Sequence, residues 1–402
     1  MGTSLLLFRV AGIEVRVHWS FVLALAFGAY IYRGSAAGPL AGALYGILVI
    51  ILLFVCVTLH EFGHALTAKR FGVGVKTITL LPIGGVANLE RMPDKPIQEF
   101  LITLAGPLVN FVIALLLFPL TLLLMTMEFG SYPSNTEAFL RALQEPGLIN
   151  LVTYLFVTNI LLGVFNLLPA FPMDGGRILR SLLAMKLSYL QATQIAVLVG
   201  RIMAALMAIV GLLAGNISLL LIAFFVYVGG SAEREVVESQ AVLRHFTAAQ
   251  ALPRTAVSIY ATERLSRAVE LIMSSYQSDY PVLDLHGKFI GVLTRPRLIQ
   301  ALQQFGPEGR VVDVMLPAES VPVVSPTTSL ADVWETMASQ GTRVVAVKNQ
   351  QEFLGLITMD DIIEVFQVMG ASMTRTGEPA PPSAPVSTPT PSEPTKQTVA
   401  DA

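Results

Sequence analysis

The sequence predicts a polytopic α-helical membrane domain of about six spanning helices, with a β-hairpin between the second and third. A smaller α/β domain built from two copies of one unit is expected to follow it. Composition gives the first reason. Of 402 residues, 53% are hydrophobic and 13% charged, and the mean hydropathy is +0.65, too apolar and too charge-poor for an ordinary soluble protein. Long uncharged runs give the second: residues 40–59 contain no charged side chain, enough to cross a bilayer as a helix. The third is an internal repeat after residue 230, where the hydropathy falls. A net charge of −2 implies no nucleic-acid partner, and a single cysteine, Cys56, cannot form an internal disulfide framework.

Residues 1–17 alternate apolar and polar around Arg9, Glu14 and Arg16, with Gly12 between, the pattern of a short strand pair. No short apolar segment there ends in a small-residue cleavage site, so no cleavable signal peptide is expected. His18 and Trp19 open the first span, 18–32, and suit an interface. Five further spans are expected at 40–69, 97–127, 147–166, 188–214 and 216–230. Lys69, Arg70, Lys76, Arg91 and Lys95 lie between spans two and three, and Arg177, Arg180 and Lys186 between four and five. The alternate loops hold only Arg33 and Arg141. Positive charge stays on the cytoplasmic side, so both termini are expected there, in the plasma membrane. Arg201, inside the fifth span, must face protein or snorkel.

The second span ends in His60-Glu61-Phe62-Gly63-His64. Residues four apart share one face of a helix, so His60 and His64 can hold one zinc ion through neutral imidazoles. Glu61 lies beside that face, placed to take a proton from an attacking water. Ionisable residues are costly in an apolar helix and usually functional. Zinc needs a third protein ligand and an open position. Cys56 lies one turn before His60, yet a small buried thiol most simply packs.

Spans two and four run the same way through the membrane, so their C-terminal ends lie at similar depth. At the end of the fourth stands Asn166-Leu167-Leu168-Pro169-Ala170-Phe171-Pro172-Met173-Asp174-Gly175-Gly176-Arg177. Asp174 is the only acidic residue from 146 to 176. A carboxylate there needs a partner, and a cation held by two histidines supplies one; the alternative is that Asp174 caps the next helix. Pro169 and Pro172 break the helix, and irregular backbone at this depth requires surrounding protein or a water-filled cavity.

The two motifs together resemble those of the site-2 proteases, intramembrane zinc metalloproteases: His-Glu-x-x-His on one span and Asn-x-x-Pro-x-x-x-x-Asp-Gly on a later one. The resemblance covers roughly residues 1–230. It implies zinc bound by His60, His64 and Asp174, Glu61 as general base and acid, and Asn166 holding the substrate near the metal. It also implies a substrate that is itself a transmembrane protein, cleaved within the lipid bilayer in regulated intramembrane proteolysis.

Residues 73–89 read as a β-rich run, Val75 to Leu81 in the sequence Val-Lys-Thr-Ile-Thr-Leu-Leu, then the turn-like Pro82-Ile83-Gly84-Gly85 and a second run. This is either a plain hairpin or an edge to which an unwound substrate adds as a strand. In the third span, Gly106 and Pro107 suggest close helix contact and a kink. Asn110 and Asn159 are intramembrane amides that need partners; hydrogen bonds to a neighbouring helix are expected for both, the alternative being a place on the cavity wall.

In the repeat, Phe289-Ile290-Gly291-Val292-Leu293-Thr294 matches Phe353-Leu354-Gly355-Leu356-Ile357-Thr358. Each copy is preceded and followed by an amphipathic helix, giving β-α-β-β-α twice. The copies resemble a tandem pair of CBS domains. Such pairs often bind adenine nucleotides and regulate the protein that carries them. The resemblance implies a ribose contact from Thr358 and Asp361, whereas the first copy has Arg297 where the acid belongs. A homodimerisation or docking module without ligand is the other reading. The expected organisation is a protease domain at 1–230, a helical connector at 231–245, CBS copies at 246–305 and 306–370, and a Pro/Ser/Thr-rich disordered tail at 371–402. A membrane transporter or ion channel regulated by its CBS pair shares this composition, but does not explain why zinc ligands and a glutamate converge at one depth.

Overall fold

The computed structural model describes residues 4–35, 38–82, 84–89, 95–129, 146–253, 256–274, 277–350 and 352–376. Ile83, Arg91, Arg141 and the tail beyond residue 376 lie outside these. The chain divides into two compact units, the first running to Arg244 and the second from His245, with the short stretch Ala338–Gly341 grouped with the first.

In the first unit, strands β1 (Ser4–Val10) and β2 (Ile13–His18) pair antiparallel through the tight turn at Ala11 and Gly12. Alternation puts Ile13 and Val15 in the core, while Glu14 and Arg16, two apart on the opposite face, pair at 2.8 Å. Strands β3 (Val75–Leu81) and β4 (Gly84–Leu89) form the expected hairpin. The two strand pairs are joined: β2 runs parallel to β3, with Val15 opposite Ile78 and Val17 opposite Leu80. The result is one sheet in the order β1-β2-β3-β4, with β4 on its edge.

Helix α1 (Phe21–Tyr32) has 12 residues, a rise of about 18 Å, well short of the ~30 Å hydrocarbon core. Among the described residues, five helices are long and apolar enough to cross a bilayer. These are α2 (Pro39–Arg70), α3 (Pro96–Phe129), α4 (Leu148–Asn166), α6 (Tyr189–Leu213) and α7 (Ile217–Leu243). The sixth apolar helix is thus α1, packed on α2. Helix α2 starts with Pro39 at its first turn, where no amide donor is lost. It ends with Lys69 and Arg70, whose charge suits the C-terminal dipole. Helix α3 continues through Pro107 and Pro119. Ser188 and Gln191 cap α6 reciprocally, and the Asn216 side chain accepts from the Leu219 amide at the start of α7. Helix α7 is unbroken from its apolar half into the polar stretch expected as a connector.

The sheet packs on the end of α2 and the start of α3. Ile13, Val15, Ile78 and Leu80 share one core with Phe54, Phe62, Ala65, Ala68 and Ile102. The last turns of α2 are therefore held by the sheet on one side and by α3 on the other.

The second unit repeats one motif. Strand β5 (Ile259–Tyr260), helix α9 (Leu265–Ser274), β6 (Asp279–Leu283), β7 (Phe289–Thr294) and α10 (Arg295–Phe305) form the first copy. Strand β9 (Val323–Val324), α11 (Leu330–Gln340), β10 (Val344–Asn349), β11 (Glu352–Thr358) and α12 (Met359–Thr376) form the second. In each, the short first strand lies parallel to the second and the third returns antiparallel. A short helix α8 (Ala248–Ala251) precedes the first copy, and β8 (Leu316–Pro317) extends its sheet. The copies share a core of Phe289 and Val292 with Val344, Ala346 and Leu356. Phe289 stacks on its repeat equivalent Phe353, centroids 4.1 Å apart and planes 6° apart. Equivalent residues meeting face to face mark an approximate two-fold relation between the copies.

Candidate metal centre

The chain turns sharply after α4. Residues 167–173 fold back on themselves, and α5 (Asp174–Ala184) begins at Asp174. Gly175 permits the turn: a Cβ there would lie 2.2 Å from the Leu168 carbonyl oxygen. Met173, which occupies the capping position of α5, makes no side-chain cap, and Asp174 is directed elsewhere.

Its Oδ2 atom lies 3.2 Å from Nε2 of His60 and 3.2 Å from Nε2 of His64. The two Nε2 atoms are 3.0 Å apart, and the rings stand at 85°. Three donor atoms thus form a nearly equilateral triangle. Its centre is about 1.8 Å from each corner, close to the ~2.0–2.2 Å of zinc bonds to histidine and carboxylate. His64 Nδ1 lies 2.8 Å from the Ile102 carbonyl on α3; donating there leaves the lone pair on Nε2, the tautomer a metal ligand needs. Although near both rings, Asp174 Oδ2 is buried and aligned with neither for a hydrogen bond. His60 Nδ1 is also buried without a hydrogen-bond partner among the described residues. Three lone-pair donors converging in a buried place, one already fixed in tautomer, fit a divalent cation.

Helix α3 closes over this group. A Cβ on Gly106 would lie 2.2 Å from His64 Nε2 and 2.8 Å from His60 Nε2, so that turn of α3 must be glycine. On the sheet side, a Cβ on Gly85 would lie 2.6 Å from Glu61 Cγ, so β4 lies directly against that side chain.

These groups line a cavity of about 570 Å³. His60, Glu61, His64, Asn166 and Asp174 all face it, with Gly84 to Ala87 of β4, Asn110 of α3 and Arg177 of α5. Every residue expected at the protease centre therefore borders one space. Cys56 is buried in α2 and does not belong to the metal-binding group. Asn159 is fully buried and donates to the Leu155 carbonyl at 2.8 Å. Arg201 is 3.2 Å from the Ser231 hydroxyl and sits over the Tyr227 ring. The sequence marked Gly106 as a point of close helix contact, but that it meets the two imidazoles, that Gly85 meets Glu61 and that the Ile102 carbonyl meets His64 were not legible, because each depends on how α3 and β4 are set against α2.

In the second unit, a smaller cleft of about 110 Å³ is bordered by Gln277, Asp279, Thr358, Asp360, Asp361 and Glu364. Asp361 Oδ2 accepts from the Thr358 amide at 2.7 Å and from its hydroxyl at 2.6 Å. Thr358 and Asp361 therefore form an N-terminal cap for α12 as well as part of the cleft wall. Burial, with help from the Asp360 and Glu364 carboxylates, raises the Asp361 carboxyl above its usual range despite those two bonds.

Comparison with known proteins gives consistent matches. The pattern of Peptidase family M50 matches residues 48–210, and that of the CBS domain matches 249–304 and 311–368. A zinc metalloprotease of Methanocaldococcus jannaschii is 33% identical over 371 residues, covering 92% of this chain and 98% of that protein. Stage IV sporulation protein FB of Bacillus subtilis is 29% identical over 161 residues, 39% of this chain and 47% of its own. Among solved structures, the site-2 protease from Methanocaldococcus jannaschii is 39% identical, covering 58% of this chain and 95% of that one, with a TM-score of 0.41. Matched along nearly its whole length by a zinc metalloprotease, the chain belongs to peptidase family M50, as a membrane zinc metalloprotease with a tandem CBS pair behind its helices.

Proposed function

We propose that this protein is an intramembrane endopeptidase that hydrolyses peptide bonds within transmembrane segments of other membrane proteins. The observation that carries the reading is the triangle of His60, His64 and Asp174 bordering a cavity among lipid-crossing helices. Those three residues would hold the zinc ion, which when bound polarises the scissile carbonyl and makes water more acidic. Glu61 is the general base: it takes the proton from water as the oxygen attacks, then delivers it to the departing amide nitrogen. Asn166, at the end of α4 on the cavity wall, donates from its amide to the substrate near the cut bond.

A transmembrane substrate arrives as a helix with its amides paired to one another, so it must unwind before cleavage. The outer edge of β4 pairs with no strand among the described residues, and four of its residues border the cavity. An extended segment laid along that edge would regain the main-chain hydrogen bonds it lost. In this reading both termini are cytoplasmic and the membrane is the plasma membrane. The CBS pair regulates the protease and pairs two chains, with adenine nucleotide held at the cleft by Thr358 and Asp361.

The mechanism is tested with Glu61→Gln. Zinc content should match the parent while cleavage of a reconstituted single-span substrate drops at least about 10²-fold; cleavage at the parent rate would sink the assignment. For the second unit, calorimetry should detect ATP or AMP binding that weakens in Asp361→Ala. Absence of binding to the parent chain removes the nucleotide role.

A further inference from the structure

Asn110 is 1% exposed, and both atoms of its amide, Oδ1 and Nδ2, are buried without a hydrogen-bond partner among the described residues. This is costly. An unpaired amide in an apolar setting is disfavoured relative to water, and in a membrane helix such a group is kept where it has work to do. Asn159 on α4 differs in degree: its nitrogen donates to the Leu155 carbonyl within its own helix, leaving only its Oδ1 without a partner among the described residues, and it is not among the residues that line the cavity. Asn110 instead borders the cavity that also holds His60, Glu61, His64 and Asp174.

Its place on α3 sharpens the point. Gly106, four residues earlier and on the same face of the helix, is the residue whose backbone presses on both metal-binding rings. Asn110 is thus one turn along from the reaction centre, on the face that looks into it. A carboxamide carries one acceptor and two donors, the complement of a peptide group, so it can accept from a backbone N–H and donate to a backbone C=O.

We propose that Asn110 is a substrate-positioning residue, pairing its amide with a peptide group of the unwound segment beside the bond to be cut. This rests on the reading that the cavity is the peptidase centre, and it adds a contact on α3 to that of Asn166 on α4. The unwound segment presents unpaired backbone groups, and Asn110 supplies partners for them without carrying charge into the site. Because the contact is with the main chain, it favours extended backbone over any particular side chain.

The test compares two probes on the full-length, zinc-loaded protein in micelles. Acetohydroxamate is a metal chelator with no peptide extension, whereas acetyl-Leu-Leu-hydroxamate adds two peptide groups to the same chelator. Asn110→Ala should weaken the dipeptide probe about tenfold, the size of one net hydrogen bond in a dry site. The same variant should leave acetohydroxamate within about twofold of the parent. Asn110→Asp, which keeps the shape but loses the NH₂ donor, should show the same split and serves if the alanine variant does not fold. Unchanged affinity for the dipeptide probe overturns the proposal, as does a parallel loss for both probes, which marks a structural role. If acetohydroxamate fails to bind the parent protein, the metal-centre reading itself falls and the role of Asn110 falls with it.

Discussion

Two side chains of the proposed metal-binding group are held in place by a residue that has none. With the Gly106 backbone so close to both imidazoles, a methyl group there must push one ring away or separate α3 from α2. Gly106→Ala should therefore lower zinc affinity by about tenfold or more, as outer-shell changes at metal sites do, while the protein still inserts in the membrane. Metal analysis after dialysis checks it, with Leu108→Ala, on the half-exposed side of the same helix, as the control that keeps its zinc. The sequence revealed the histidines and Asp174 because each is a polar break in an apolar run, visible whatever the fold. Gly106 showed only as a residue permitting close contact, since what it contacts is set by the rotation of α3 about its axis. Asn110 was in between: an amide in a span needs a partner, and bonding to a neighbouring helix was the favoured expectation, whereas among the described residues its amide has no partner and borders the cavity.

Elements are tied together by a charge that the sequence offered only as a marker of orientation. Arg180, on the same short helix as Asp174, is 1% exposed. It meets Glu99 of α3 at 2.5 Å and Glu233 of α7 at 2.5 Å, between the rings of Phe171 and Tyr189. Separations of 81 and 53 residues hid both pairs, just as the parallel match of β2 with β3 hid the joining of two strand pairs into one sheet. Helix positions were legible, since an apolar run defines its own length; partners across the fold were not. Replacing Arg180 by Met leaves Glu99, 6% exposed, as a buried charge without compensation. A loss of about 3–5 kcal/mol is expected, together with weaker zinc binding, because α5 carries Asp174. Glu233→Gln should cost less, since that side chain is more exposed at 20% and the Glu99 pair survives. Thermal unfolding and zinc titration of the two variants measure both effects, and equal damage from both would contradict this ranking.

Across the whole molecule, the same degree of exposure has opposite meanings in the two units. Leu116, in the middle of α3, is 70% exposed, and Leu285, in the β6–β7 turn of the second unit, is 76% exposed. The first belongs to a helix long and apolar enough to cross a bilayer, with Leu115, Val112 and Leu123 similarly uncovered. Such a continuous apolar surface is far larger than soluble monomers expose and is explained by lipid. Leu285 stands among Asp284, His286 and Lys288 and needs no cover, since single exposed leucines are ordinary on a protein in water. Arginine at the two positions should therefore separate the solvents. Leu116→Arg places a charge near the middle of the hydrocarbon at a cost of about 2.5–3.5 kcal/mol, lowering the fraction of α3 that spans the membrane and with it the zinc content. Leu285→Arg should change stability by no more than about 0.5 kcal/mol and leave zinc unchanged. Membrane fractionation with metal analysis reads both, and a Leu116→Arg protein that inserts and binds zinc like the parent would mean that this face of α3 meets protein or water rather than lipid.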